Sequence, residues 1–168
     1  MEREWARYYA EKDDGLHWTN KRRGDYNWTL FKDGKLVVGV KSKGIVNFRF
    51  KAEYDDTKVR VFVKSQLSGL TEVVDSNSKL IATIKSIISS PPLELTIVDK
   101  GRYSIEHTGK YDICFVDAKG RRIARSRYDY DVVDASFKVL EWKDGDPNSW
   151  LLAIIGLFIG MHTSGTFP

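Results

Sequence analysis

The middle of the chain alternates apolar and polar residues with a period of two. Apolar residues recur at every second position from Val46 to Tyr54 and again from Val59 to Val63. Half-buried antiparallel strands need this alternation. Asp55-Asp56-Thr57, between the two runs, predicts a hairpin turn.

Similar short runs continue on both sides and predict an antiparallel meander of about ten to twelve strands. The further predicted strands are Leu36–Lys41, Thr71–Asp75, Leu80–Ile84, Leu93–Val98, Arg102–Ile105, Tyr111–Val116, Arg122–Ser126 and Ser136–Trp142, with weaker candidates at Trp5–Tyr9 and Trp28–Phe31. Because proline cannot serve a central strand, Pro91-Pro92 is interpreted as a crossing between two halves of the sheet.

The pattern changes at the end of the chain, where Trp150–Met161 contains no charged residue. A surface helix would need a polar face, which this segment lacks. Asp146 and Pro147 are typical of a helix start, so we predict a helix over Pro147–Met161. A membrane span needs about 20 apolar residues, so a buried core helix is favoured over a membrane or partner anchor.

Two nine-residue segments, Val74–Ala82 and Val116–Ala124, align without gaps. In each, an aspartate ends an apolar run, a small residue allows a tight turn, and a base precedes the next run. Gly120 corresponds to Ser78, and we expect a positive φ at this turn position. The two segments therefore predict equivalent hairpins.

The meander, these two hairpins and the closing apolar helix together resemble the tubby C-terminal-like superfamily, which includes LURP-one-related proteins and phospholipid scramblases. The residues that carry the resemblance are Val74–Ile84, Val116–Ala124, Ser136–Trp142 and Pro147–Met161. The resemblance implies a mainly β fold, with a closed antiparallel barrel of about twelve strands enclosing the C-terminal helix. A helix that is apolar all round also needs a wall on every side.

The length of 168 residues fits one domain spanning 1–168. We divide it into an aromatic-rich N-terminal segment (1–29), the strands, and the central helix (147–161). Within the helix, Ala153, Gly156 and Gly160 place small residues three or four apart. This spacing predicts a close approach between the helix and the strands.

Cysteine content and the N-terminus favour a cytoplasmic protein. The single cysteine, Cys114, excludes an internal disulfide framework, and Met1–Trp5 lacks the basic-then-apolar pattern of a signal peptide. The formal net charge of +4 is compatible with phosphate contacts, but it does not point to nucleic acid as a partner.

The densest group of bases is Lys119, Arg121, Arg122, Arg125 and Arg127. On a strand, Arg121, Arg125 and Arg127 would share one face and could bind an anionic headgroup. Useful affinity would need further bases from a neighbouring strand, for which Lys41 and Lys43 are the candidates. The alternative is a solvated barrel face that nearby aspartates neutralise.

A second basic run, Lys21-Arg22-Arg23, lies among Trp18, Tyr26 and Trp28. Bases interleaved with aromatic residues can bind single-stranded nucleic acid or a membrane interface. The same aromatic side chains could instead close one end of a barrel, and we favour this structural interpretation.

Catalytic and metal-binding patterns are weak. The alternating acids of Asp129–Asp134 lack the glycine and terminal glutamate of a calcium loop. The three histidines are far apart in sequence, and no nucleophile elbow or phosphate-binding glycine loop is present. We therefore expect no enzymatic activity, no cofactor and no metal.

These observations lead to one functional hypothesis and one alternative. We expect a non-catalytic intracellular binding module for anionic lipid or phosphoinositide headgroups, with peripheral membrane contact and no transmembrane segment. The alternative is a protein–protein interaction scaffold that uses the aromatic N-terminal segment or the tail after the helix.

Overall fold

The structure, a computed structural model, describes residues 15–43, 49–65, 67–85, 93–140 and 147–164. These residues form twelve strands and one helix. The strands are β1 (Leu16–Thr19), β2 (Trp28–Lys32), β3 (Lys35–Lys43), β4 (Arg49–Tyr54), β5 (Thr57–Ser65), β6 (Leu70–Asp75), β7 (Leu80–Lys85), β8 (Leu93–Ile97), β9 (Gly101–His107), β10 (Asp112–Val116), β11 (Arg122–Asp129) and β12 (Asp134–Val139), followed by helix α1 (Pro147–Ser164).

Each strand pairs antiparallel with the next, and β12 pairs with β1, which closes the sheet into a barrel. This confirms the predicted closed barrel. The predicted crossing at Pro91-Pro92 is wrong, because β7 pairs directly with β8 and the meander continues without interruption. The two prolines themselves lie outside the described residues.

The apolar helix forms the centre of the core, as predicted. Leu152, Ile154 and Ile155 are completely buried, and Phe158 is also buried, with its ring 5.1 Å from that of Phe50 on β4. The helix has 18 residues and continues to Ser164, three residues beyond the predicted end. Within the described ranges, no helix combines the length and apolar character that a membrane span requires.

Helix α1 contacts β11 through its two glycines. A Cβ atom on Gly156 would overlap the side chain of Ser126, and one on Gly160 would overlap Tyr128. Ser126 and Tyr128 therefore face the helix, and Arg127 between them faces outward. The predicted close approach of helix and strand is confirmed.

The hairpin prediction is also confirmed, because Ser78 and Gly120 both have positive φ, at 64° and 80°.

Two differences from the predicted strands concern the N-terminal part of the chain. Strand β1 was not predicted, since four residues are too few to show a period. The predicted strand Trp5–Tyr9 lies outside the described residues, as does the start of the Val46–Tyr54 run.

Candidate anion-binding site

Arg121 lies before β11, in the β10–β11 turn, and not on the strand face that the sequence predicts. Its Nε atom lies 2.8 Å from Oδ2 of Asp117, whose Oδ1 accepts hydrogen bonds from the backbone N–H groups of Lys119 and Arg121. These hydrogen bonds lower the pKa of Asp117, and the bond from the Arg121 backbone has the largest effect. Arg121 thus stabilises its own turn.

Arg127 forms an ion pair with Asp112 within the barrel wall. Its Nη1 atom lies 2.7 Å from Oδ2 of Asp112, and the two side chains are only 14% and 20% exposed. Burial raises the pKa of Asp112, and the Arg127 guanidinium opposes that rise. The guanidinium carbon of Arg127 also lies 5.8 Å from the centre of the Tyr111 ring.

Arg125 and the two predicted lysines do not converge. Arg125 is half-buried on β11, paired in register with Cys114 and Lys138. Lys41 and Lys43 lie on β3, and β12, β1 and β2 separate β3 from β11 in the barrel. The prediction that these bases come from neighbouring strands is therefore wrong.

Lys41 instead belongs to a different row of bases on the opposite wall. It pairs in register with Lys51 on β4, and Lys51 pairs with Arg60 on β5. Residues directly opposite in an antiparallel pair have Cβ atoms about 5 Å apart, and like charges at such positions destabilise the sheet. Three cationic side chains thus stand side by side on three adjacent strands.

The β1–β2 loop covers one side of this row. It contains a tight turn in which the backbones of Arg23 and Tyr26 exchange two hydrogen bonds of 3.0 Å. The Tyr26 ring lies directly on Gly39, where a Cβ atom would come within 2.6 Å of the ring. Only a glycine at this strand position leaves room for the ring.

Tyr26 is held in place by a second contact. Its hydroxyl donates a 2.7 Å hydrogen bond to Oε2 of Glu53 on β4, and this bond raises the pKa of Tyr26. Within the described part of the chain, no carboxylate forms an ion pair with Lys41 or Lys51. Glu53, two residues from Lys51 on the same face of β4, is hydrogen-bonded to Tyr26 instead.

Between the loop and the strands lies a cavity of about 580 Å³. We call it the cationic groove and define it by six of its lining residues, Arg23, Tyr26, Lys41, Lys51, Lys58 and Arg60. The lining also contains Asp25 and Glu53, so five bases stand against two acids. The size of the groove is in the range of small-molecule sites, and its net positive charge is suited to an anion that carries more than one negative group.

Lys51 and Arg60 are not among the site residues predicted from the sequence, although one signal could have identified them. The Asp55-Asp56 turn, with φ values of 45° and 60°, pairs residues at equal distances on its two sides. Lys51 and Arg60 are such a pair. The pairing of Lys51 with Lys41 depends on residues 44–48, for which no comparable turn signal exists.

The aromatic residues near Lys21–Arg23 are mostly structural. Trp18 and Trp28 are 4% and 3% exposed and belong to the core, so neither presents a ring for stacking on a nucleic acid base. Residues 1–14 and 165–168, on which the scaffold alternative largely depends, lie outside the described residues.

Among the described residues, no group of three or more histidine, cysteine or acidic side chains is arranged to hold a metal ion. Cys114 is completely buried.

No protein-family model matches this chain, and no match was found among curated proteins or solved structures.

Proposed function

We propose that this protein is a non-catalytic binding module for phosphorylated anionic headgroups, and that the cationic groove is its binding site. The observation that carries the proposal is the row of Lys41, Lys51 and Arg60 on adjacent strands. Directly opposed like charges reduce the stability of a sheet. A polyanion bound across the row would remove that repulsion and gain contacts from all three bases.

The groove offers complementary chemistry for such a ligand. Lysine ammonium groups act as point charges on phosphate, and the arginine guanidinium can form two parallel hydrogen bonds to phosphate oxygens. An inositol ring carries hydroxyl groups, which inorganic phosphate lacks. Glu53 lines the groove, and its carboxylate has further acceptor capacity for such a hydroxyl beside the bond from Tyr26. We therefore expect an inositol phosphate to bind more tightly than inorganic phosphate.

The resemblance to tubby C-terminal-like proteins supports the same class of ligand, since tubby proteins bind phosphoinositides. Under this proposal the protein acts at the cytoplasmic surface of a membrane as a peripheral protein. The proposed site shares Lys41 with the one that the sequence suggests. It differs in that Lys43, Arg121, Arg125 and Arg127 do not line the groove.

The test is titration of the protein with soluble inositol trisphosphate by calorimetry. The double substitution Lys41→Gln/Lys51→Gln should weaken binding at least about tenfold, which corresponds to about 1.4 kcal/mol. The matched control is Lys100→Gln/Lys119→Gln, which removes the same charge from two exposed turns, β8–β9 and β10–β11, that do not line the groove. We expect the control to bind within about twofold of the parent, because exposed distant charges are largely screened.

Two results would overturn the proposal. One is a parent protein that does not bind inositol trisphosphate at low salt. The other is an equal loss of affinity in the groove variant and the control, which would mean that the ligand senses net charge and not the groove.

A further inference from the structure

The outer wall of β3, β4 and β5 continues from the cationic groove toward one end of the barrel. The next outward-facing row consists of Lys43, Arg49 and Phe62, which pair in register across the three strands. Lys43 and Arg49 are exposed, and Phe62 is half-exposed, although it is a large apolar residue. We call this row the rim strip.

The rim strip ends beside an exposed apolar turn. In an antiparallel meander the turns alternate between the two ends of the barrel, so the β3–β4 and β5–β6 connections lie at the same end. Leu67 lies in the β5–β6 turn and is 89% exposed, the highest value among the exposed large hydrophobic residues of the described chain. Bases, an aromatic ring and a leucine therefore follow one another from the groove to the rim.

This order matches the layers of an anionic membrane surface. Lysine and arginine are attracted to anionic headgroups, aromatic rings favour the interfacial region, and an aliphatic side chain gains free energy on leaving water. A protein partner would not require the bases to lie between the groove and the apolar tip. The rim strip and Leu67 are thus complementary to an anionic bilayer.

We propose that the rim strip and Leu67 form a docking surface for an anionic bilayer, with Leu67 inserted beside the lipid whose headgroup occupies the cationic groove. This inference rests on the proposed function, and it specifies that the headgroup comes from a membrane lipid and not from a free phosphate. The side of the barrel that carries β3–β6 would face the membrane.

The experiment measures binding to phosphatidylcholine vesicles containing phosphatidylserine and phosphatidylinositol bisphosphate, and in parallel binding to soluble inositol trisphosphate. Leu67→Gln should reduce vesicle affinity about tenfold, because the polar amide opposes insertion. The same variant should bind soluble inositol trisphosphate like the parent, since Leu67 does not line the groove. Leu67 is exposed, so the substitution leaves the core intact.

Val132→Gln is the matched control. Val132 is 37% exposed in the β11–β12 turn, at the same end of the barrel but on its opposite side. It should change vesicle affinity by less than about twofold, since it would not reach the bilayer in this orientation.

The outcomes separate the two proposals. Vesicle binding that is unchanged in Leu67→Gln, or reduced equally in both variants, would overturn the docking surface. Vesicle binding that depends on Leu67, in a protein that ignores soluble inositol trisphosphate, would support the docking surface and overturn the groove as a headgroup site.

Discussion

The bases on the β10–β11 wall have acidic neighbours, whereas the bases on the β3–β5 wall have other bases as neighbours. On β11, Arg127 faces Asp112 at 2.7 Å within a largely buried pair. On β4, Lys51 stands between Lys41 and Arg60, with a cation on each side. The first arrangement compensates charge inside the wall, and the second concentrates it on the surface. Ion pairing therefore stabilises one wall, and the other is suited to an external anion.

Both walls depend on the same central helix, so the largest expected effect is its disruption. Ile155→Asp would place a carboxylate at a completely buried position. Burying a charge without a partner costs several kcal/mol, comparable with a total stability of about 5–15 kcal/mol. We expect no cooperatively folded protein by near-ultraviolet circular dichroism and urea unfolding.

The matched control for that substitution is Leu67→Asp, which introduces the same carboxylate at an exposed apolar position. It should unfold like the parent protein. Cooperative unfolding of Ile155→Asp with a parent-like midpoint would show that the helix does not support the two walls.

The next largest effect is expected from the compensated pair. Arg127→Gln leaves Asp112 largely buried without its ion-pair partner and should destabilise the protein by about 1–3 kcal/mol at pH 7. Because burial raises the pKa of Asp112 and Arg127 opposes this, the variant should have a still higher pKa. Its deficit should shrink as pH falls from 7 to the ordinary aspartate pKa of about 4, because the higher pKa of the variant lets its carboxyl become neutral earlier than in the parent.

Urea unfolding at the two pH values tests this, with Arg122→Gln as the control on the same strand. Arg122 is exposed, and we expect little change there. A deficit that stays constant between the two pH values would mean that the charge of Asp112 is not its cause.

Lys51→Gln should have the opposite sign and a smaller size. Removing the central cation of the row relieves two like-charge contacts and should raise the free energy of unfolding by about 0.2–1 kcal/mol. The gain should decline with salt, because these contacts are screened. Urea unfolding at low and high salt measures both effects, and a loss of stability in Lys51→Gln would refute the asymmetry between the walls.

The smallest expected effect concerns His162 near the end of the helix. His162 stacks on Phe158 at 5.7 Å, and burial lowers its pKa below the ordinary value of about 6.5. The neutral form is therefore favoured in the folded protein, and its contribution to stability is present above that value and lost as pH falls through the lowered pKa. His162→Phe should lose less stability than the parent between about pH 7.5 and 5.5.

That comparison is made by urea unfolding at several pH values. If the free energy of unfolding of the parent and of His162→Phe changes equally over this interval, protonation of His162 does not contribute to the pH dependence of stability.

The helix and the meander could be predicted from the sequence because their signals are local. Continuous apolarity over Trp150–Met161 and alternation over Val59–Val63 each arise within a short stretch of chain. The equivalence of Ser78 and Gly120 was likewise visible, since turn chemistry depends on adjacent residues.

The site could not be predicted in the same way, because it depends on register between strands. A dense run of bases along the chain suggested Arg121, Arg125 and Arg127, but spacing alone cannot show that Asp112 and Asp117 engage two of them. Apart from Arg23 in the β1–β2 loop, the groove bases are spread over three alternating strands, where each one resembles an ordinary solvent-facing residue. Their significance arises only when β3, β4 and β5 pair.

Closure of the barrel by β1 and β12 determines how other polypeptides can approach it. An open sheet presents unpaired backbone groups at its edges, to which a foreign strand can add in the manner of peptide recognition or aggregation. With β1 hydrogen-bonded to both β12 and β2, the twelve strands that the structure describes leave no unpaired edge for strand addition. A partner that binds these twelve strands must therefore recognise side chains on the wall or at the rims, so surface composition, not backbone pairing, determines its selectivity there.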